Sequence, residues 1–384
     1  MKTTSPNRTW AEINLDNIAH NYKEFLRITG TVKVMCVIKA NACEHGSVAV
    51  AKRLEKEGCD TFAVATLDEG LELRRAGIAS LILLLNHISF ERVGEALENE
   101  LTMTVYSIEM AKCISGTANK PAKIHVKIDT GMNRVGLDFS EAAKIVKNIS
   151  VLPNIEIEGV YTHFSCADEC ETTFTDLQVY CFDKVCAEIE NAGVPIKIKH
   201  AANSAAAIMY PQTHYDMVRV GISLYGCYPS DEVDKTRVNL KPVKQLKTQI
   251  IRIHETEPGA AVSYGRKFIT ERKSILATIP VGYADGVSRV LSGKLMVLIN
   301  GQAAPVVGRI CMDQCIADIT DITGEVNIFD EVVIYGEQKG AVITVEQVAS
   351  QMGTINYETL CTTSRRIPRY YIENGEITSE VHYL

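Results

Sequence analysis

From about residue 30 to 226, short apolar runs rich in β-branched residues alternate with stretches of helical period. The runs are VKVMCVIK (32–39), TFAVAT (61–66), SLILLLN (80–86), TMTVYS (102–107), KIHVKID (123–129), IEGVYTHF (157–164), IKIKHAAN (196–203) and MVRVGISLYG (217–226). Amphipathic segments such as SVAVAKRLEKEG, LDEGLELRRAG, FERVGEALENE and LQVYCFDKVCAEIENAG lie between them. Strand-length apolar runs, each followed by a helix, predict parallel strands buried on both faces. Eight βα units point to an α/β fold, a closed (β/α)8 barrel, in which chemistry gathers where strands give way to loops. An open doubly wound sheet fits the same spacing.

Beyond residue 240 the pattern changes. KTQIIRIHETEPG, SILATIPVGYADG, KLMVLINGQAAPVVGRICMDQCIADI and DEVVIYGEQ read as strands joined by Gly, Pro and Asp turns, with little helix before VEQVASQMG. This predicts a barrel over residues 10–240 and a mainly β C-terminal domain over 241–384. The early strand 9–14 is a candidate to join the second domain.

A chain of 384 residues with 46% hydrophobic residues has ample core for two domains. The net charge of −7 argues against nucleic acid or an anionic membrane as partner, since both call for clustered positive charge. No apolar run reaches the roughly 18 residues of a membrane span. The opening MKTTSPNRTWAEINLD lacks the basic-then-apolar order of a secretion signal. Twelve scattered cysteines without a CxxC pair then fit free thiols in a reducing cytoplasm. His163, Cys166 and Cys170, and the pair Cys311 and Cys315, have metal-like spacing but no complete ligand set, so no metal is expected.

Lys39 ends the first run, in VIKANACEHG. Burying an unpaired ammonium is expensive. Desolvation would lower its pKa and free the amine for Schiff-base chemistry. Alternatively it points past the strand end into water, as most lysines do. His163 closes the sixth run, Asn203 and Ser204 follow the seventh, and Arg219, Gly221 and Ile222 lie on the eighth. In a barrel all of these reach one mouth together with Lys39. Ser204 at a helix start, beside backbone N–H groups near a glycine, is a plausible phosphate cradle.

VIKANACEHG, HVKIDTGMNRVG, YTHFSCADE, HAANSAA, VRVGISLYG, AVSYGRKF, VGRICMDQ and TINYETLCTTSRRIPR, in this order, resemble the motif series of alanine racemases from about residue 10 to 370. The resemblance implies pyridoxal 5'-phosphate as cofactor. It also implies a head-to-tail homodimer whose active sites combine one barrel with the partner's second domain. By position, Lys39 would carry the cofactor, and Ser204, Gly221, Ile222 and Tyr357 would bind its phosphate. Arg219 would face the pyridine nitrogen, with His163 and Asn203 alongside the cofactor. Arg134 would meet the substrate carboxylate, steadied by Lys127, a position often carbamylated in this family. Tyr264 would be the second base, with Met312 and Asp313 nearby on the same partner subunit. Racemisation removes a proton from one face of a planar centre and returns one to the other, and two opposed bases, Lys39 and Tyr264, do this directly. A tyrosine with an ordinary pKa of about 10 needs its phenolate stabilised to act near neutrality, and His163 and Arg219 in line behind it would serve. The family further implies a cytoplasmic enzyme supplying D-alanine for peptidoglycan.

The chain departs from the family after the cofactor lysine. The usual KANAYGHG reads KANACEHG, placing Cys43 and Glu44 at the tyrosine and glycine positions. A thiol is a poor donor to phosphate, and losing such a bond costs roughly 1.5–3 kcal/mol, about ten- to a hundredfold in affinity. A glutamate beside the phosphate would repel it unless it turned outward. These changes keep open a racemase preferring serine or another amino acid, and a degenerate cofactor-binding homologue. A fold-related decarboxylase is disfavoured by Tyr264 and Arg219, and a single-barrel cofactor carrier by the second domain.

Overall fold

The computed structural model describes residues 8–383. They divide into two compact units, one of residues 17–42 and 47–241, the other of residues up to 16, 43–46 and 242 onward. In the first unit the eight expected strands are all present. They are β1 Lys33–Val37, β2 Thr61–Val64, β3 Leu81–Leu84, β4 Thr102–Val105, β5 Ala122–Asp129, β6 Ile155–Tyr161, β7 Ile198–His200 and β8 Met217–Val220. Every ladder between them is parallel, in the order β8-β1-β2-β3-β4-β5-β6-β7. At the seam between β7 and β8 the Asp216 N–H donates to the Lys199 carbonyl (3.1 Å) and the Arg219 N–H to the Ala202 carbonyl (2.9 Å). The sheet is therefore a nearly closed barrel rather than the open alternative. Met35, Ala63, Leu83 and Met217 pack as a buried cluster contributed by four of its strands.

Helices follow the strands as the periodicity predicts. Leu67–Arg75, for example, starts at a capping box in which Thr66 and Glu69 satisfy each other's backbone N–H groups. The strands stop earlier than the apolar runs. β1 ends at Val37, β6 at Tyr161 and β8 at Val220, so Lys39, His163, Gly221 and Ile222 lie beyond the strand ends rather than on them. Apolar sequence continues past the last ladder bond because the rim loops are themselves buried, Ile222 and Phe164 being nearly inaccessible.

In the second unit a mixed sheet runs in the order Arg252–Thr256, Ser274–Ile279, Cys315–Asp318, Gln302–Val307, Met296–Ile299, Glu331–Gln338, Lys244–Gln249, Thr9–Asn14, Arg369–Glu373, Glu376–Val381. Thr9–Asn14 lies antiparallel to Lys244–Gln249 and parallel to Arg369–Glu373. A separate two-stranded ribbon, Ala261–Val262 with Phe268–Ile269, carries Tyr264 on its connecting turn. Among the described residues no helix is long and apolar enough to cross a membrane.

Candidate active site

The segment Lys39–Glu44 coils as a helix of the left hand, with φ of 53°, 52°, 54°, 50° and 60° at Ala40, Asn41, Ala42, Cys43 and Glu44. For residues with a Cβ this costs roughly 1–2 kcal/mol each. Within the barrel unit the Ala40 N–H donates to Glu69 Oε1 (2.6 Å) and the Ser47 N–H to Asn41 Oδ1 (2.9 Å). Residues 43–46 pack in the β-rich unit. There the Lys244 ammonium donates to the carbonyls of Cys43 (3.0 Å), Glu44 (3.3 Å) and Leu360 (2.8 Å). The Glu44 carboxylate accepts from the fully buried Arg369 at 2.8 Å. Glu44 is thus turned inward, where its carboxylate pairs with a buried cation. Burial, then the neighbouring Arg369, pushes Lys244 down to about 7.

Lys39 itself is exposed in the single chain. Its surroundings are nonetheless unusual. Lys39, Lys127, Arg134 and Arg219 all act electrostatically on His163, which partial burial and then these cations hold well below its ordinary value. Lys127 is buried at the end of β5, and desolvation, then Arg219 and Arg134, lowers it to about 8. Arg134 is exposed on the loop after β5, which Asp129 fixes by accepting from the N–H groups of Gly131 (2.9 Å), Asn133 (3.1 Å) and Arg134 (3.1 Å). Arg219 is 4% exposed, and burial lowers it to about 10, still charged through the neutral range. Its guanidinium donates to the carbonyls of Thr162 (2.8 Å) and Ala201 (2.9 Å) and to the Nδ1 atoms of His163 and His200, both at 3.0 Å. Asn203 caps Ser204–Met209 by accepting from Ala206 N–H. The buried Ser204 hydroxyl accepts from Gly221 N–H at 2.9 Å, joining the β7 and β8 loops.

In the β-rich unit, Tyr264 is 70% exposed on a turn in which Ser263, Gly265 and Arg266 have φ of 61°, 72° and 50°. The Ser263 hydroxyl donates to the Arg309 carbonyl at 2.6 Å. The tyrosine borders a cleft of about 530 Å³ that His254, Cys311 and Gln314 also line. Met312, 53% exposed, and Asp313 lie between Cys311 and Gln314 in sequence, on a loop held by backbone bonds. The N–H groups of Tyr283 and Ala284 donate to the Cys311 and Met312 carbonyls (3.1 and 3.0 Å). A Cβ on Gly282 would lie 2.3 Å from the Cys311 oxygen, so only glycine permits this approach. Asp313 pairs with Arg366 at 2.7 Å, and Arg366 with the buried Asp285 at 3.1 Å. Tyr357 is half-buried on Asn356–Cys361.

Comparison with known proteins decides the family. Residues 13–229 match the model of the alanine racemase N-terminal domain and residues 243–371 that of the C-terminal domain. The chain belongs to the alanine racemase family. It is 46% identical to the alanine racemase of Clostridium novyi, with 98% of each chain covered. It is likewise 46% identical to that of Methanococcus maripaludis, covering 94% of this chain and 98% of that one. Among solved structures it superposes on the alanine racemase of Clostridium difficile 630 with a TM-score of 0.94, at 43% identity over 99% and 100% of the two chains. The Bacillus anthracis alanine racemase with bound L-Ala-P gives 0.93, at 36% identity over 99% and 98%. The chain is thus an amino acid racemase, an isomerase, of a family that uses pyridoxal 5'-phosphate. The cationic barrel mouth and the Ser204–Gly221 junction have the chemistry to hold that phosphate.

Sequence reasoning missed Glu69, His125, Glu158, His200 and Lys244. His125, sharing one strand face with Lys123, Lys127 and Asp129, is the visible signal. Glu44 was noticed, but its partner Arg369 is 325 positions away and could not be assigned.

Proposed function

We propose that the chain interconverts L- and D-alanine with Lys39 and Tyr264 as the two bases, in a homodimer that brings Tyr264, Met312 and Asp313 of one copy to the barrel mouth of the other. The cofactor, when bound, withdraws electrons from the substrate Cα–H bond and so acidifies it. Lys39 Nζ moves the proton on one face and Tyr264 Oη on the other. Ser204, Gly221, Ile222 and Tyr357 hold the phosphate, Asn203 shapes the same rim, and Arg134 orients the substrate carboxylate. Arg219 presents a donor to the ring nitrogen and, as a guanidinium, keeps its own proton. His163 accepts from Arg219 at Nδ1, so its proton sits on Nε2, available to stabilise the Tyr264 phenolate. The reading extends to a cytoplasmic enzyme whose D-alanine enters peptidoglycan.

The buried Arg219 guanidinium held 3.0 Å from His163 Nδ1 is the observation that carries this assignment. The exposure of Tyr264 supports the dimer, since it leaves the side chain open to be covered by a second copy. Tyr264→Phe should lower α-proton exchange of L-alanine in deuterated water by about 10²–10⁴-fold, with cofactor binding retained. Retained exchange would overturn the second-base role, and faster exchange with serine would move the substrate.

Lys127 fits carbamylation. An amine lowered to about 8 is substantially neutral near that pH and can add to carbon dioxide, releasing a proton. The product is an anion facing Arg134 and Arg219. After incubation with ¹³C-bicarbonate, NMR should show a carbamate signal that grows as pH rises through about 8 and is lost in Lys127→Ala. Its absence would leave Lys127 a plain cation.

A further inference from the structure

Below the barrel mouth, Arg219 is the top of a buried chain of groups that the reaction described above does not use. His200 Nδ1 lies 3.0 Å from Arg219, His200 Nε2 lies 2.8 Å from His125 Nδ1, and His125 Nε2 lies 3.4 Å from Glu158 Oε2. Both imidazoles are fully buried and Glu158 is 8% exposed. The far carboxylate oxygen accepts from Lys123 at 2.7 Å, and Lys123 reaches solvent. The Tyr161 ring stacks on His200 at 4.6 Å and 11°, fixing its plane.

The direction of these bonds follows from donor chemistry alone. A guanidinium can only donate, so His200 Nδ1 accepts and its proton is on Nε2. That N–H donates to His125 Nδ1, which places the His125 proton on Nε2, aimed at Glu158. All bonds therefore run one way, from a buried cation through two neutral imidazoles to a carboxylate. His125, with Lys123, holds that carboxylate down to about 2.

The backbone is shaped for this. Along β5 and β6 the register passes from Ile124 opposite Ile157 to His125 opposite Gly159, leaving Glu158 as an extra residue. Such a bulge re-aims a side chain. A Cβ on residue 159 would lie 2.6 Å from His125 Nδ1, so the glycine makes room for the imidazole.

We propose that Glu158 is a positioning residue for racemisation, acting through His125 and His200 on Arg219. Its charge, relayed by two polarised imidazoles, fixes the guanidinium and tempers the positive potential that Arg219 presents at the mouth. The effect on catalysis rests on the assignment of Arg219 to the cofactor ring; the direction of the relay does not.

The test has two arms. With ¹⁵N-histidine labelling, NMR of the wild-type protein before cofactor addition should show His200 and His125 both as neutral Nε2–H forms at pH 7, assigned through His→Gln variants. A proton on Nδ1 of either, or a doubly protonated ring, overturns the relay. Glu158→Gln keeps an acceptor but removes the charge. It should move the His125 Nε2–H proton upfield and lower kcat for alanine about three- to tenfold with KM nearly unchanged, while thermal stability falls with the loss of the Lys123 ion pair. Unchanged kcat and proton shift beside an active wild type would overturn the proposal. A wild type that does not racemise counts instead against the reading of the site, since the tautomers are measured independently.

Discussion

The two turns proposed to carry the bases, residues 39–44 and 263–266, both pass through left-handed backbone, but they are held very differently. The first is fixed by side-chain bonds along its length, from the half-buried Glu69 at its start and the buried Lys244 and Arg369 at its end. The second hangs on the Ser263 hydroxyl and leaves Tyr264 70% exposed. Strained backbone persists where its surroundings over-determine it. The Lys39 turn meets that condition inside one chain. The Tyr264 turn is built to be completed by something else, and in the proposed dimer that is a second barrel.

This contrast is sharpest in stability. Glu44→Ala leaves Arg369 buried without its carboxylate and should cost about 3–5 kcal/mol in urea unfolding. A loss below about 1 kcal/mol would mean that backbone bonds alone hold the turn. Gly282→Ala pushes a methyl against the Cys311 and Met312 carbonyls and should cost about 1–3 kcal/mol. It should also weaken alanine binding, because the loop bearing Met312 and Asp313 must shift. Stability unchanged here would show that loop to be as loosely supported as the tyrosine. Tyr264→Phe, which removes an exposed phenol, should alter monomer stability by no more than about 0.5 kcal/mol despite its large effect on turnover. A larger change would show the tyrosine to be structurally engaged, and the contrast would fail.

Much of this was legible in the chain. Eight apolar runs with intervening amphipathic stretches specify parallel strands and their helices, but their spacing fits an open sheet as well, and only the bonds between β7 and β8 decide for a nearly closed barrel. The cationic residues at the ends of those runs were equally visible, because a strand-end position fixes which rim a side chain reaches. Less legible was where each strand stops. Ladder bonds end at Val37 and Tyr161 while apolar sequence runs on, since rim loops bury hydrophobic residues too. Nor did sequence reveal that Lys39 opens a left-handed turn, for nothing in KANACE marks five positive φ angles.

What the sequence determined by itself was periodic or local: the repeat of strand and helix, the helix caps, the change to β structure after residue 240, and the residue types available for chemistry. The tertiary structure alone decided the pairings between distant groups. Glu44 met Arg369, Glu158 met His125 through a one-residue bulge, and Arg219 came to bind two histidines at once. The physical reason is that hydrophobic periodicity is read over a few residues. A buried charge instead takes whichever partner the fold brings within about 3 Å, however far away in sequence.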